Sequence, residues 1–207
     1  MNDKKILIAG GIAAIAVLAG GWLWLGSGGS DPFAPCRTSV VAGGSATLGG
    51  PFELTSETGE RVTDTQVFTK PSLVYFGYTY CPDVCPLDNA RNAEALDLLA
   101  ERGIDAQTVF ITVDPKRDTP EWMAAYTENM HENMLGLTGS DEDIAAAARQ
   151  WRVSYQVQDD GTDLYLVSHT TITYLVLPGH GTVEFYGRNV TPEQMADNVA
   201  CFADAAA

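Results

Sequence analysis

Basic residues are scarce in this sequence. Lysine and arginine together number 12, against 27 aspartates and glutamates, which gives a formal net charge of −15. A general nucleic-acid-binding protein carries a basic surface that meets the phosphate backbone, so this deficit excludes that class of protein. The acidic residues are spread along the chain rather than gathered in one tail.

Cysteine is scarce as well, and internal repeats are absent. Four cysteines in 207 residues are too few for a fold built on disulfides, so each cysteine needs its own explanation. A hydrophobic fraction of 45% with 9% aromatic residues is typical of a globular protein rather than a disordered one. The length predicts one domain, with residues to spare for targeting.

One long uncharged run stands near the N-terminus. Residues 6–25 carry no charge, and such a 20-residue helix spans about 30 Å, the thickness of a bilayer core. Lys4 and Lys5 precede the run and Asp31 is the first charge after it, so the positive-inside rule keeps residues 1–5 in the cytoplasm. A cleaved signal peptide is the alternative, but its apolar region usually has about 7–15 residues. We therefore predict a single uncleaved transmembrane anchor.

The rest of the chain is predicted to lie on the exported side. Residues 26–50 are rich in glycine and predict a flexible tether. Residues 51–207 form the predicted exported domain, in which strands alternate with helices. The apolar runs 73–78 and 108–113 are typical of strands buried on both faces. Asp118 is predicted to cap a helix, with Glu121 completing a capping box.

The remaining predicted elements give the fold class. Further strands are predicted at 52–55, 61–63, 135–138, 164–167, 171–177 and 182–186, and further helices at 90–102, 141–151 and 191–205. The first two strands form a hairpin around the turn at 57–60. Strands separated by helices predict βαβ crossovers and an α/β fold whose sheet is covered on both faces.

Cys81 and Cys85 carry the most informative chemistry. They follow the buried run 73–78 and precede a helix, at the carboxyl end of a strand where ligands of α/β sheets bind. A helix N-terminus favours the thiolate, which is both the nucleophile and the metal ligand. Three interpretations are open: a structural disulfide, a redox dithiol or a soft-metal site.

The spacing of the two cysteines favours the metal site. A structural disulfide that closes so short a loop adds little stability. Redox enzymes usually have two residues between their cysteines, whereas this chain has three, which leaves room for a metal. Two thiolates bind Cu(I) well, since soft ligands suit a soft ion.

Histidine is the expected third ligand, and the chain has three. His169 lies between two apolar predicted strands of one sheet, where a histidine that is merely hydrogen-bonded at a strand end is the alternative. His131 is predicted at a helix edge beside Met130, and His180 at the tip of a turn. Neither is expected to bind metal.

These residues resemble the Sco/SenC family of membrane-anchored, thioredoxin-like copper proteins. The resemblance covers roughly residues 50 to 205 and rests on three ordered motifs, at 75–86, at 112–120 and at Ser168 to Leu175. It implies a thioredoxin-like fold with an N-terminal β-hairpin, and copper as Cu(I) or Cu(II) on Cys81, Cys85 and His169.

The resemblance also implies a function. Family members take part in assembling the CuA centre of cytochrome c oxidase, by handing over copper, by reducing the acceptor's cysteines, or by both. The expected partners are the copper-bearing oxidase subunit, other periplasmic copper carriers and the inner membrane, with the domain in the periplasm. A metallochaperone is the first hypothesis. There are two alternatives. One is a specific thiol–disulfide reductase that uses Cys81 and Cys85 as catalytic residues, and the other is a redox or copper sensor.

Several positions depart from the family pattern or stay open. Family members often have Asp before the histidine and Ser after it, where this chain has Ser168 and Thr170, so a carboxylate that would orient the imidazole is missing. No proline occurs between Pro120 and Pro178, which argues against a general disulfide oxidoreductase.

Two acidic residues and two cysteines complete the set of candidates. Asp114 and Asp83 are expected to serve turn structure rather than metal ligation. Cys36 and Cys201 are either a bridge that pins the N-terminal segment to the domain or separate residues, and the sequence does not decide between the two.

Overall fold

The computed structural model describes residues 31–39, 48–158 and 161–206. The chain divides into two compact units, Met1–Ala34 and Pro35–Ala207. In the described part of the first unit, the backbone N–H of Ala34 donates to the carbonyl of Asp31. None of the described helices is long and apolar enough to cross a membrane, and the predicted anchor at 6–25 lies outside the described residues.

The second unit contains nine described strands and five described helices. The strands are β1 (Glu53–Ser56), β2 (Arg61–Thr63), β3 (Ser72–Gly77), β4 (Gln107–Thr112), β5 (Met134–Thr138), β6 (Tyr155–Gln158), β7 (Leu166–His169), β8 (Thr173–Leu177) and β9 (Gly181–Tyr186). The helices are α1 (Asp64–Val67), α2 (Val84–Glu101), α3 (Pro120–Met130), α4 (Asp141–Gln150) and α5 (Pro192–Ala206).

Seven strands form one mixed sheet in the order β2-β1-β5-β4-β3-β8-β9. The central strands β3, β4 and β5 are parallel, while β8 pairs antiparallel with β3. All six residues of β3 are buried, as its continuous apolar run predicts. Successive side chains of β3 point to opposite faces of the sheet. On one face the Tyr75 hydroxyl donates to Asp88 of α2, and on the other Phe76 packs on Trp151, which follows α4. The sheet therefore has helices on both faces.

The hairpin β1–β2, the parallel core strands and the last helix confirm the sequence predictions closely. Ser140 caps α4, and Gly103 ends α2 with a positive φ of 76°, a backbone conformation that glycine adopts readily. Thr191 and Gln194 form reciprocal hydrogen bonds at the start of α5.

Two predictions about helix starts are wrong. The helix predicted at 90–102 begins at Val84, because Pro86 is accepted in a first turn and the inward residues there are polar. Thr119 rather than Asp118 caps α3, and its hydroxyl accepts from the backbone N–H of Trp122. Asp118 is fully buried and turns back toward the loop after β3.

The strand before His169 is not part of the main sheet. Among the described strands, β7 pairs only with β6 in a separate two-stranded sheet, whereas β8 belongs to the seven-stranded sheet. Strand β6 is missing from the sequence prediction, because Tyr155–Gln158 is polar and largely exposed and has no apolar run. His169 is the last residue of β7 and pairs with Tyr155. We call these two strands and their connection the β6–β7 hairpin.

A disulfide joins Cys36 to Cys201 on α5, with a Cα–Cα distance of 5.7 Å. The residues after Cys36 are also held: Arg37 donates to the carbonyl of Val183 over 2.6 Å, and the N–H of Thr38 donates to buried Glu184 over 2.8 Å. We call residues 36–39 the N-terminal strap. The compact unit thus starts at Pro35, whereas the sequence places the start of the domain near Pro51, because the strap lacks any apolar pattern.

Candidate metal centre

The junction between β3 and α2 positions both cysteines. The backbone N–H of Cys81 donates to the carbonyl of Tyr78 over 3.2 Å, which closes a tight turn. Cys85 lies in the first turn of α2, and its N–H donates to the sulfur of Cys81 over 3.3 Å. The sulfur of Cys81 thus receives one of the backbone donors that a helix start leaves unpaired. Cys81 is 8% exposed and Cys85 is fully buried.

His169 completes a group of three donors. Its Nε2 lies 3.2 Å from the sulfur of Cys85, although the two residues are 84 positions apart in the chain. The donor atoms of Cys81, Cys85 and His169 all lie within 4.8 Å of one another. The structure therefore brings together the three residues that the sequence singles out.

The orientation of the imidazole is fixed by backbone and aromatic contacts. Nδ1 of His169 lies 3.0 Å from the carbonyl oxygen of Thr170, which can only accept, so Nδ1 donates this hydrogen bond and Nε2 is the ring nitrogen that faces Cys85. The ring sits edge-on to Tyr75 at 6.0 Å and to Tyr78 at 5.9 Å between centroids. The Thr170 carbonyl thus orients the ring in place of the missing carboxylate.

The two thiols are placed in opposite protonation states. A hydrogen bond from the Cys85 thiol holds the pKa of Cys81 well below its usual range, against the effect of burial, and His169 adds to this lowering. The same hydrogen bond and deep burial raise the pKa of Cys85 well above its usual range. The metal-free site therefore holds a thiolate at Cys81 beside a thiol at Cys85.

A buried polar network lies behind the site and was not predicted from the sequence. The Tyr75 hydroxyl donates to Asp88 over 2.9 Å, and Arg188 donates to the same carboxylate over 3.0 Å. Burial is the main cause that raises the pKa of Tyr75 far above its usual value. Polar residues at 88, 89 and 92 on the inner face of α2 are the signal that could have revealed it.

The other candidate residues lie outside the group of donors. His131 is the C-cap of α3 and lies 3.3 Å from Asp97, while His180 is exposed in the β8–β9 turn. Asp83 is exposed before α2. Asp114 is buried and accepts hydrogen bonds from Tyr165 and Arg117, so it is more than a turn residue.

Two sulfurs and one imidazole nitrogen form a soft donor set. Thiolates favour Cu(I), zinc and iron–sulfur clusters, and three donors suit the low coordination number of Cu(I). Within residues 31–39, 48–158 and 161–206, no second group of three such side chains was found.

Comparison with protein-family models decides the family. The SCO1/SenC model matches residues 41–204. The chain belongs to the SCO1/SenC family. Protein SenC of Rhodobacter capsulatus is 54% identical over 176 residues, which cover 85% of this chain and 79% of SenC.

A mitochondrial SCO1 family member also matches. The SCO1 homolog 1 of Arabidopsis thaliana is 41% identical over 157 residues, which cover 75% of this chain. The match spans 47% of that relative, about half its length.

Two solved structures of Sco proteins share the fold and have copper bound. Arabidopsis thaliana ScoI with copper bound has a TM-score of 0.71 and 40% identity, covering 76% of this chain and 99% of that one. Bradyrhizobium japonicum ScoI with copper bound has a TM-score of 0.68 and 35% identity, covering 74% and 98%. The expected thioredoxin-like α/β fold is thereby confirmed.

A more distant structure adds a description of the family. BsSco has a TM-score of 0.61 and 23% identity, covering 75% of this chain and 93% of that one, and so shares the fold. It is described as a member of the Sco family of cytochrome c oxidase assembly proteins.

Proposed function

We propose that this protein binds Cu(I) through Cys81, Cys85 and His169 and delivers it to the CuA site of cytochrome c oxidase during assembly. The observation that carries the proposal is the convergence of two sulfurs and one oriented imidazole nitrogen within 4.8 Å. The copper-containing SCO1/SenC structures support it. Copper is the cargo of this reaction rather than a resident cofactor.

The proposal includes a cellular arrangement. Residues 6–25 anchor the chain in the inner membrane with residues 1–5 in the cytoplasm, and the compact unit faces the periplasm. Other periplasmic copper carriers load the site, and the copper-bearing oxidase subunit receives the metal. The long apolar run and its flanking lysines support the anchor, and the Cys36–Cys201 disulfide suits an oxidising compartment.

An anaerobic Cu(I) titration of the full-length chain, with Cys81 and Cys85 reduced, tests the site. A competing chelator sets the affinity, and His169→Ala is compared with His180→Ala, an exposed histidine outside the site. We expect one copper per chain, weakened at least about 100-fold in His169→Ala and unchanged in His180→Ala. Binding that is weak, or indifferent to His169, would refute the site.

A specific thiol–disulfide reductase is the second candidate. The observation that favours it is the asymmetry of the cysteines: Cys81 is the more exposed and has the lowered pKa, as an attacking thiolate requires, while Cys85 is buried as a resolving thiol. A reductase forms a mixed disulfide between Cys81 and its partner. Reduction of an oxidised acceptor that survives His169→Ala would favour this function, whereas copper transfer requires His169.

A further inference from the structure

The β6–β7 hairpin carries His169 but has no strand pairing with the main sheet among the described residues. Cys81 and Cys85, in contrast, are placed by the buried strand β3 and by α2. The short link at 170–172 ties one end of the hairpin to β8. The distance between His169 and the sulfurs otherwise depends on side-chain contacts that hold the hairpin against the rest of the domain.

Asp114 and Arg117, in the loop between β4 and α3, make such contacts. Arg117 Nη1 donates to the carbonyl of Tyr165 over 2.9 Å and to that of Asp163 over 3.1 Å. The guanidinium carbon lies 3.7 Å from the centre of the Tyr165 ring. Asp114 accepts from Arg117 Nε over 2.5 Å and from the Tyr165 hydroxyl over 2.8 Å. We call Asp114, Arg117 and Tyr165 the clasp.

The same guanidinium also lies against the loop that carries Cys81. It stands 4.8 Å from the centre of the Tyr80 ring and 5.6 Å from that of Tyr78. Tyr78 in turn packs edge-on against the His169 ring. Arg117 thus touches both segments that carry the metal-binding side chains while touching none of the three donors.

The side chain of Arg117 is 10% exposed, so its contacts are largely shielded from water. Such contacts are stronger than those on an open surface. A planar guanidinium can donate to carbonyls and a carboxylate while its face stacks on an aromatic ring. A lysine ammonium keeps the charge but lacks the fork and the flat face, so it cannot reproduce this set of contacts.

We propose that Arg117 is a positioning residue that fixes the approach of His169 to Cys85 and so sets the affinity for Cu(I). The inference rests on the proposed copper-binding function and deepens it. When the clasp is loosened, the hairpin no longer holds Nε2 of His169 close to Cys85. The metal is then bound by the two sulfurs alone. The hydrogen bonds of Arg117 to backbone carbonyls go to the hairpin, while its contacts with the Cys81 loop are ring contacts alone. Arg117 therefore acts through His169, and the effect of its loss depends on the presence of the imidazole.

A double-mutant cycle on the full-length chain tests this dependence, with Arg117→Lys, His169→Ala and the double variant. Cu(I) affinity is measured against a competing chelator, and unfolding of the copper-free protein is followed in urea. We expect Arg117→Lys to weaken Cu(I) binding about tenfold in the parent chain. In the His169→Ala background the same substitution should have no further effect on affinity.

Arg61→Lys is the matched control. Arg61 also donates to a backbone carbonyl, that of Glu53 at 2.8 Å, and to a carboxylate, that of Asp143 at 2.9 Å, but it lies on β2 away from the donors. Its substitution should leave Cu(I) affinity unchanged. Tyr165→Phe is a milder second variant that removes only the hydroxyl donated to Asp114. It should weaken Cu(I) binding about two- to fivefold, again only when His169 is present.

Each contrary result points to a different error. Equal losses from Arg117→Lys in the two backgrounds would overturn the inference, since the residue would then act through the cysteines or through folding. If Arg117→Lys and Tyr165→Phe both bind Cu(I) with the parent's affinity, the inference is also overturned. If His169→Ala binds Cu(I) more weakly than the parent in the same experiment, the proposed function still stands. Parent-like affinity of His169→Ala would overturn both.

Discussion

At the level of single residues, the position of the Cys85 sulfur depends on a glycine in a buried strand. A Cβ added at Gly77 would stand 3.0 Å from the sulfur of Cys85 and 2.8 Å from the Phe110 ring. Gly77→Ala should therefore displace the sulfur, lower Cu(I) affinity and reduce the free energy of unfolding by about 1–3 kcal/mol. Chelator competition and urea unfolding measure the two effects.

Gly187→Ala is the control for this substitution. The nearest atom that its Cβ would meet is the side-chain oxygen of Asn189 at 2.9 Å, the end of a side chain that can rotate away. We expect parent-like copper affinity in this variant. If Gly77→Ala bound Cu(I) as tightly as the parent, Cu(I) binding would not depend on the position that Gly77 allows the Cys85 sulfur.

The lowered pKa of Cys81 predicts thiolate reactivity well below the pH at which an ordinary thiol ionises. The hydrogen bond from Cys85 stabilises the deprotonated form, so Cys81 gains its proton only as the pH falls through the lowered value. Cys85→Ser keeps a donor, whereas Cys85→Ala removes it and should raise the pKa of Cys81 by about 1 to 2 pH units. The pH dependence of alkylation, followed by mass spectrometry, measures this.

Cys81→Ser shows which alkylation product comes from Cys81, since this variant lacks the reactive thiol. Identical pH profiles for the Ser and Ala variants of Cys85 would contradict the assigned cause. The remaining alternative would then be the hydrogen bonds that His169 and the backbone make to Cys81.

The three donors were predictable from the sequence to different degrees. Cys81 and Cys85 follow from their spacing and from their place after a buried strand. His169 could be predicted only as a candidate ligand, because its distance from Cys85 depends on the β6–β7 hairpin. The sequence pattern indicates only one strand of that hairpin, the apolar one before His169. Tyr75 and Asp88 were missed, because an apolar strand pattern does not show which hydroxyl meets which carboxylate on the neighbouring helix.

At the level of elements, Asp118 connects the loop after β3 to the end of β4. Its carboxylate accepts from the N–H of Thr79 at 3.0 Å, from the Thr79 hydroxyl at 2.6 Å and from the Thr112 hydroxyl at 2.6 Å. Asp118→Ala leaves these buried donors without an acceptor and should cost about 3 kcal/mol of stability. Asp118→Asn keeps an accepting oxygen and should cost less.

Urea unfolding of the copper-free variants measures both losses. Because Thr79 lies two residues before Cys81, Asp118→Ala should also weaken Cu(I) binding. Glu121→Ala, an exposed acid in the first turn of α3, is a suitable control with little expected effect. Equal stability of the alanine variant and the parent would refute the role of Asp118.

The same residue shows why element boundaries are harder to predict than elements. Asp118-Thr119-Pro120 fits a helix start with either residue as the cap, and the choice depends on whether Asp118 has a partner elsewhere in the fold. The buried strands β3 and β4 were predictable because their apolar runs are short and rich in β-branched and aromatic residues, which favours strands over helices. Strand β6 was not, since its residues are mostly exposed and its stability comes from pairing with β7.

At the level of the whole molecule, the Cys36–Cys201 disulfide joins positions 165 residues apart and nearly closes the chain of the compact unit. Loop-closure entropy predicts that so long a loop stabilises the folded state by up to about 5 kcal/mol. Cys36→Ser with Cys201→Ser should lower the free energy of unfolding by about 3–5 kcal/mol and leave Cu(I) affinity unchanged. Urea unfolding and chelator titration measure the two quantities.

Reduction of the parent chain provides the matching control for this pair of substitutions. Reduction should lower the free energy of unfolding of the parent chain by the same amount as the double substitution does. A loss below about 1 kcal/mol in both comparisons would mean that the N-terminal strap is held by Glu184 and its other hydrogen bonds alone.

The two cysteine pairs also differ in how readily each can form a disulfide bond before the chain has folded. Before folding, Cys81 and Cys85 are four positions apart, whereas Cys36 and Cys201 are separated by 165. Chain statistics then favour the short-range bond, and the long-range bond forms efficiently only once folding has brought its partners together. Under oxidising conditions we therefore expect the Cys81–Cys85 bond to form before the Cys36–Cys201 bond, and the folded protein shows the two metal-binding cysteines free. Such a chain would have to react with an electron donor before Cys81 and Cys85 could bind copper as thiolates.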